Sequence, residues 1–348
     1  MKKSTKESIK IAGCISGFLN EYVPSQKTAS VNTLRSYRNA LALYITFLET
    51  EKKIRCETLN GGCFQRTVIE EWLVWMGAAR GCSPASCNNR LASLRTFLKY
   101  LGSRDAAYLY LYQEASEIER RKCPKKKVEG MSRTAVKALM EAPDPSSRTG
   151  RRDMAFIVLL YSTAARVDEI LSMKNSQIHL DVPNPHATII GKGNKLRTMY
   201  LLPKVTTHMK HYMKEFHGEH PDPDAYVFYS RNIGTHGKIT QPAIAKMLKK
   251  HAKTAHGSCD EVPLDMHAHR LRHAKASHWL EDGMNIVQIS FLLGHEQLQT
   301  TMTYLDITMK EKAKGLATLE DENDKRVSPK WKNSDGSLCD FCGIKRKG

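Results

Sequence analysis

Residues 267–308 hold a dense set of groups able to act on a phosphate. His269 and Arg272 are three apart, so on a helix they share a face. His295 follows the turn pair Leu293-Gly294, and Tyr304 follows Thr300 and Thr301. Together these supply an imidazole, a guanidinium, a second imidazole and a phenolic hydroxyl. Such parts suit the breaking and rejoining of a phosphodiester without a metal. Taken singly, each residue has a plainer reading. His-x-x-Arg also describes a solvated helix face, and a tyrosine at helical spacing is ordinary core.

The elements that must carry these groups follow from periodicity. A helix begins near Asp265, bears His269, Arg272 and His273 close to its start, and ends at Gly283. A second helix spans Asn285 to Leu293, with Ile286, Ile289, Leu292 and Leu293 inward. Gly294 then turns the chain and exposes His295, and a third helix from about Leu298 carries Tyr304. Upstream, residues 151–164 are apolar enough for a buried helix. Arg166 follows at its end, where a charge needs a partner. Glu169 is the nearest, and the two read as part of a site or, more plainly, as a buried structural pair. Residues 186–202 form a hairpin with strands over 187–190 and 197–201, and Gly193-Asn194 supplies the positive φ of its turn. Lys192 at the tip reads, on residue type alone, as a solvated turn residue. The run Tyr226–Tyr229 is strand or buried turn, and residues 240–256 form a basic helix.

The first half is all helix. Helical patterns cover 8–23, a segment capped by Thr28 or Ser30, residues 66–78, a helix opened by Ser83-Pro84, and about 105–119. Its polar positions are rich in cations, among them Arg35, Arg38, Arg90 and Arg95. They are either a solvated face or a row of phosphate contacts. Residues 117–131 include Lys125, Lys126 and Lys127, have no apolar period and read as a basic linker. The expected organisation is a helical domain over 1–116, a linker over 117–131, an α+β domain over 132–318 and a polar tail over 319–348.

The 348 residues carry 54 Lys and Arg against 36 Asp and Glu, a formal net charge of +18. A chain this basic points to a polyanionic partner, with nucleic acid the first choice. Nine scattered cysteines, an odd number at irregular spacings, argue for reduced thiols rather than a disulfide framework. No apolar run has the ~20 residues of a membrane helix. Ile11-Ala12-Gly13-Cys14 imitates a lipoprotein cleavage site, but Glu7 and Lys10 interrupt the apolar run that such a signal needs. Cys339 and Cys342 make half a zinc site at most, so no metal is expected there.

The sequence resembles the tyrosine recombinases, the phage-integrase family, over roughly residues 8–310. Thr33-Leu34-Arg35-Ser36-Tyr37 and Asn89–Arg95 look like its core-binding domain. Thr163-Ala164-Ala165-Arg166-Val167-Asp168-Glu169-Ile170 is similar to its first signature box, with Ala164-Ala165 where Gly-Leu is usual. Gly191-Lys192-Gly193-Asn194-Lys195 resembles its lysine hairpin. His269-Arg270-Leu271-Arg272-His273, Leu293-Gly294-His295 and Tyr304 match its C-terminal signature in order, and His267 lacks that context.

The resemblance implies a mainly α fold: a SAM-like helical bundle and an α+β catalytic domain with a small antiparallel sheet. It implies six catalytic residues, Arg166, Lys192, His269, Arg272, His295 and Tyr304. Tyr304 is the nucleophile, His269 the acid/base and Lys192 the acid for the leaving oxygen, with Lys195 its fallback; Glu169 orients Arg166. DNA phosphates would lie along Arg35, Arg38, Arg90, Arg95 and Lys125–Lys127. The partners implied are double-stranded DNA with a specific site, a homotetramer on it and accessory DNA-bending proteins. No metal, ATP or other cofactor is implied, and no membrane. The implied role is a bacterial cytoplasmic integrase or transposase of a mobile element, against a Xer-like resolution recombinase or a silent DNA-binding protein. A type IB topoisomerase fits the chain length less well. A helix after the nucleophile could dock on a neighbouring protomer.

Overall fold

The structure, a computed structural model, describes residues 5–27, 30–124, 130–230, 237–302 and 304, with Lys192 described by its backbone. Lys125, Lys126, Lys127, the Lys192 side chain and the tail with Cys339 and Cys342 lie outside the described residues. The chain divides into two compact units, Met1–Lys126 and Lys127–Gly348.

The first unit is helical throughout. Helix α1 (Lys6–Gly17) is capped by the Thr5 hydroxyl, which accepts from the Ser8 amide. The chain then widens into a π-helical stretch, Phe18–Lys27, where Pro24 has no amide hydrogen to give the α-helical ladder. Next come α2 (Val31–Thr50) behind Ser30, α3 (Arg66–Ala78) and α4 (Pro84–Arg104). Ser83 caps α4 and Pro84 fills its first turn, as the dipeptide predicts. Helix α5 (Leu109–Glu117) completes the unit. Phe18, Tyr44, Phe64, Trp72 and Phe97 fill its core, and the buried Tyr44 hydroxyl donates to the Cys63 carbonyl at 2.7 Å.

The second unit surrounds one larger core. Helix α6 (Arg133–Glu141) starts on the Ser132 cap, and α7 (Arg148–Thr163) is the buried helix expected there. The short α8 (Val167–Leu171) leads to a three-stranded antiparallel sheet of β1 (Ile178–His179), β2 (His186–Ile190) and β3 (Leu196–Tyr200). In the β2–β3 hairpin Ala187 pairs with Met199 and Ile189 with Arg197. At its turn Gly193 and Asn194 take φ of 73° and 60°, the left-handed region their types favour. Helix α9 (Pro203–His217) packs on α7. Strands β4 (Tyr229–Ser230) and β5 (Gly237–Lys238) form a second small antiparallel pair beyond the buried Val227 and Phe228. Helix α10 (Gln241–His256) presents Lys246, Lys249, Lys250 and Lys253 to solvent and buries His251 against Asp153 of α7 at 2.9 Å.

The last three helices are α11 (Ala268–Glu281), α12 (Ile286–Leu293) and α13 (Gln299–Met302). Gly283 at φ 86° turns the chain after α11, and Gly294 at φ 63° ends α12. The seven described cysteines are free thiols. No described helix is long and apolar enough to cross a membrane.

Candidate active site

Arg166 stands at the N-cap of α8, thrown there by a left-handed residue at the end of α7. That residue is Ala164, with φ 47° and ψ 27°. A left-handed alanine costs roughly 1 kcal/mol against glycine. Its methyl is fully buried with Leu293 and Tyr304, which offsets a similar amount, about 0.8 kcal/mol per buried carbon. The departure from Gly at this position is therefore tolerated by packing.

Glu169 organises the arginine. Its Oε2 accepts from the Arg166 backbone amide at 2.7 Å and its Oε1 from Arg166 Nη1 at 3.0 Å. Arg166 Nη2 reaches the Gly294 carbonyl at 3.4 Å. The sequence did not show that a second arginine uses the same carboxylate. Arg197 of β3 donates to Oε2 at 2.6 Å and to Oε1 at 3.2 Å. Burial alone would raise the Glu169 pKa, but the bonds and charges of Arg197 and Arg166 outweigh it and hold it below the usual range.

Arg272 is 1 % exposed. It donates from Nη1 to the Ala164 carbonyl and from Nη2 to the Leu293 carbonyl, each at 2.6 Å. It thereby fastens the turn before Arg166 to the turn before His295. Burial, and next the Arg166 charge, draw its pKa down to about 10. A buried cation whose donors meet neutral carbonyls is costly in the free protein and favours an incoming anion.

His295 follows the left-handed Gly294, and its Nδ1 lies 2.8 Å from the Thr301 hydroxyl. Burial, then Arg272 and Arg166, lower its pKa to about 4. His269 is likewise lowered, by burial first and then by Arg272. These side chains line a cavity of about 660 Å³ with Arg166, Arg197 and Lys195. Lys195 pairs with Glu296 at 3.1 Å.

Tyr304 lies elsewhere. It is 1 % exposed, packed with Ala164, Ala276, Leu280, Ile289 and Leu293. Its hydroxyl lies 2.7 Å from Nδ1 of His273, not on His269. Burial raises its pKa and Arg272 opposes this. His273 is lowered to about 4, by burial and then by His269, which favours a neutral imidazole beside the tyrosine. The rings of His269 and His273 meet edge-on at 4.5 Å.

The cationic residues of the first unit differ in their duties. Arg35 and Arg38 are exposed on α2. Arg90 is half-buried and points Nη1 at the Cys82 sulfur, 2.8 Å away. Arg95 departs from the expected phosphate row. Its guanidinium donates to the carbonyls of Ala115 at 2.7 Å, Ser116 at 3.4 Å and Ile118, closing the C-terminus of α5. Its pKa is lowered by that burial.

The phage integrase family profile matches residues 130–311, and the N-terminal SAM-like domain of phage integrases matches residues 15–105. The chain belongs to the phage integrase family. It is a tyrosine recombinase, of the enzymes that cleave and rejoin DNA at specific sites. Among the family's curated members, the XerC tyrosine recombinase of Chlamydia caviae is 27 % identical over 306 residues, covering 84 % of this chain and 94 % of that one. The XerD of Listeria innocua is 29 % identical over 287 residues, covering 81 % and 90 %. In fold the chain is similar to the XerH site-specific recombinase bound to a palindromic difH substrate, with a TM-score of 0.66 at 17 % identity over 92 % of each chain. It is also similar to the Tn1549 transposon integrase in complex with transposon right-end DNA, with a TM-score of 0.63 at 14 % identity over 87 % of this chain and 99 % of that one.

Proposed function

We propose that Tyr304 is the nucleophile of a site-specific recombinase that works through a 3′-phosphotyrosyl intermediate. Oη attacks the scissile phosphorus. As the Oη–P bond forms, the bond from phosphorus to O5′ breaks, leaving a 5′-hydroxyl. A phenol with an ordinary pKa of about 10 needs its proton removed, and His269 takes it. Lys192 returns a proton to O5′. Arg166 and Arg272 hold the non-bridging oxygens with planar forks, and His295 adds a hydrogen bond. The phosphodiester energy stays in the covalent link, so a second 5′-hydroxyl reverses the step without ATP. No residue here is assigned to a metal.

The observation that carries this reading is the cavity where Arg166, Arg272, His269 and His295 converge, with Arg272 buried and facing carbonyls. In the described conformation Tyr304 is bonded to His273 outside that lining, so the reaction requires its release when DNA is bound. Residues 1–116 serve as one half of a DNA clamp and 132–318 as the catalytic half, joined by the basic linker 117–131. Four copies assemble on two duplexes, with DNA-bending proteins as accessories, in the bacterial cytoplasm. The biological role is the integration or transposition of a mobile element. The XerC and XerD similarities favour a second role, resolution of joined replicons. Nuclease protection on DNA flanking the gene separates them: a protected site at an element's ends supports the first role, and protection confined to a chromosomal resolution site supports the second.

A further inference from the structure

Arg197 has no task in the reaction above, yet it lies against three of the segments that deliver the site. Its side chain is 6 % exposed on β3, and its two terminal nitrogens grip both oxygens of Glu169. The same two oxygens also hold Arg166. A Cβ at Gly294 would come 3.2 Å from Arg197 Nη1, and one at Gly191 would come 3.3 Å from it. Gly294 opens the turn that bears His295, and Gly191 opens the hairpin tip that bears Lys192. Both glycines lie where any larger residue would press on this guanidinium.

The arrangement is not explained by stability. A buried ion pair is weak evidence for stabilisation, and the Nε of Arg197 is buried with no hydrogen-bond partner among the described residues. Electrostatics give it a purpose. One carboxylate shared by two guanidiniums leaves a net positive charge of one, and Arg166, whose side chain is 39 % exposed against 6 % for Arg197, is the more open of the two to the cavity that both line. Without Arg197, the Glu169 charge would fall on Arg166 alone, cancelling what a phosphate needs and loosening the carboxylate that orients it.

We infer that Arg197 is a positioning residue for DNA cleavage, acting on the scissile phosphate through Glu169 and Arg166. The inference rests on the function proposed above. Its test uses single-turnover adduct formation on a nicked duplex carrying the protein's binding site. One duplex has a natural scissile phosphate. The other has a methylphosphonate, in which a methyl replaces one non-bridging oxygen and no charge remains for Arg166 to meet. Arg197→Met is compared with the unaltered protein at saturating concentration, so that affinity does not enter. It should react on the order of a hundredfold more slowly at the phosphate, the scale of loss from a misplaced catalytic group, and lose far less at the methylphosphonate. Arg197→Lys, which restores one charged contact with Glu169, should recover part of the phosphate rate. Equal losses on both linkages, or an unchanged phosphate rate, would overturn the inference. If Arg197→Met does not fold, Arg197→Gln, which keeps a hydrogen bond to Glu169 without the charge, must show the same selective loss. Absence of any adduct with the unaltered protein on a protected site would instead sink the function, and this inference with it.

Discussion

The Tyr304 hydroxyl and Nδ1 of His273 lie 2.7 Å apart, one helical turn beyond His269 and away from the arginine-lined cavity. The bond is made inside an apolar cluster, where a lost partner is expensive. Replacing His273 by Phe should destabilise the fold by about 1–3 kcal/mol, because the hydroxyl is left buried and unpaired. Adding Tyr304→Phe removes the orphan and should restore part of the loss. Urea unfolding of the two single variants and the double variant checks this, and strictly additive losses would contradict the bond.

Anions should stabilise the free protein. The cavity holds Arg166, Arg272 and Arg197 against the single carboxylate of Glu169. Sulfate at a hundredfold excess over its Kd adds about 2.7 kcal/mol. Sulfate also strengthens burial generally, so the comparison is with Arg166→Gln. Thermal unfolding should show a smaller rise in midpoint for the variant, and equal rises would argue against an anion site.

Acid should weaken the fold before the carboxylates titrate. The folded pKa values of His273 and His295 are both lowered from 6.5 to about 4. Between these limits the unfolded chain binds more protons than the folded one, so stability falls as pH falls. The contribution is fully present above pH ~6.5 and is lost as pH drops through ~4. Urea midpoints between pH 7.5 and 4.5 should decline, and the double variant His273→Gln, His295→Gln should flatten the decline. An equally steep decline in that variant would place the protons elsewhere.

The basic face of α2 and the end of α5 should respond differently to mutation. Arg35→Ala and Arg38→Ala should each lower the slope of log K against log salt for duplex DNA by about one. Arg95→Ala should leave that slope unchanged and destabilise the fold by about 1–3 kcal/mol, because it uncaps three carbonyls. Anisotropy titrations across salt, paired with unfolding curves, distinguish the two. A slope change for Arg95→Ala would return it to the phosphate row.

Much of this architecture was legible because local rules governed it. Ser83-Pro84 opened α4, Gly193-Asn194 turned the hairpin and Gly294 exposed His295, each through backbone preference alone. The Arg166–Glu169 pair was legible from spacing. What escaped depended on tertiary placement. Which histidine meets Tyr304 depends on how α11 faces the end of the chain, and His269 and His273 share one face. Arg95 looked free until the end of α5 lay over it. Arg197 left a signal that could have been read: strand alternation puts it on the buried face with Met199, where a charge demands a carboxylate.

In the proposed reaction Tyr304 carries the DNA. The direct test is mass spectrometry of the peptide from an adduct trapped on a nicked duplex that contains a nuclease-protected site. The Tyr304 peptide should bear a nucleotide linked through its 3′ phosphate, a free 5′-hydroxyl should be released, and Tyr304→Phe should yield no adduct. A nucleotide on any other residue, a link through the 5′ phosphate, or persistence of the adduct in Tyr304→Phe would contradict it.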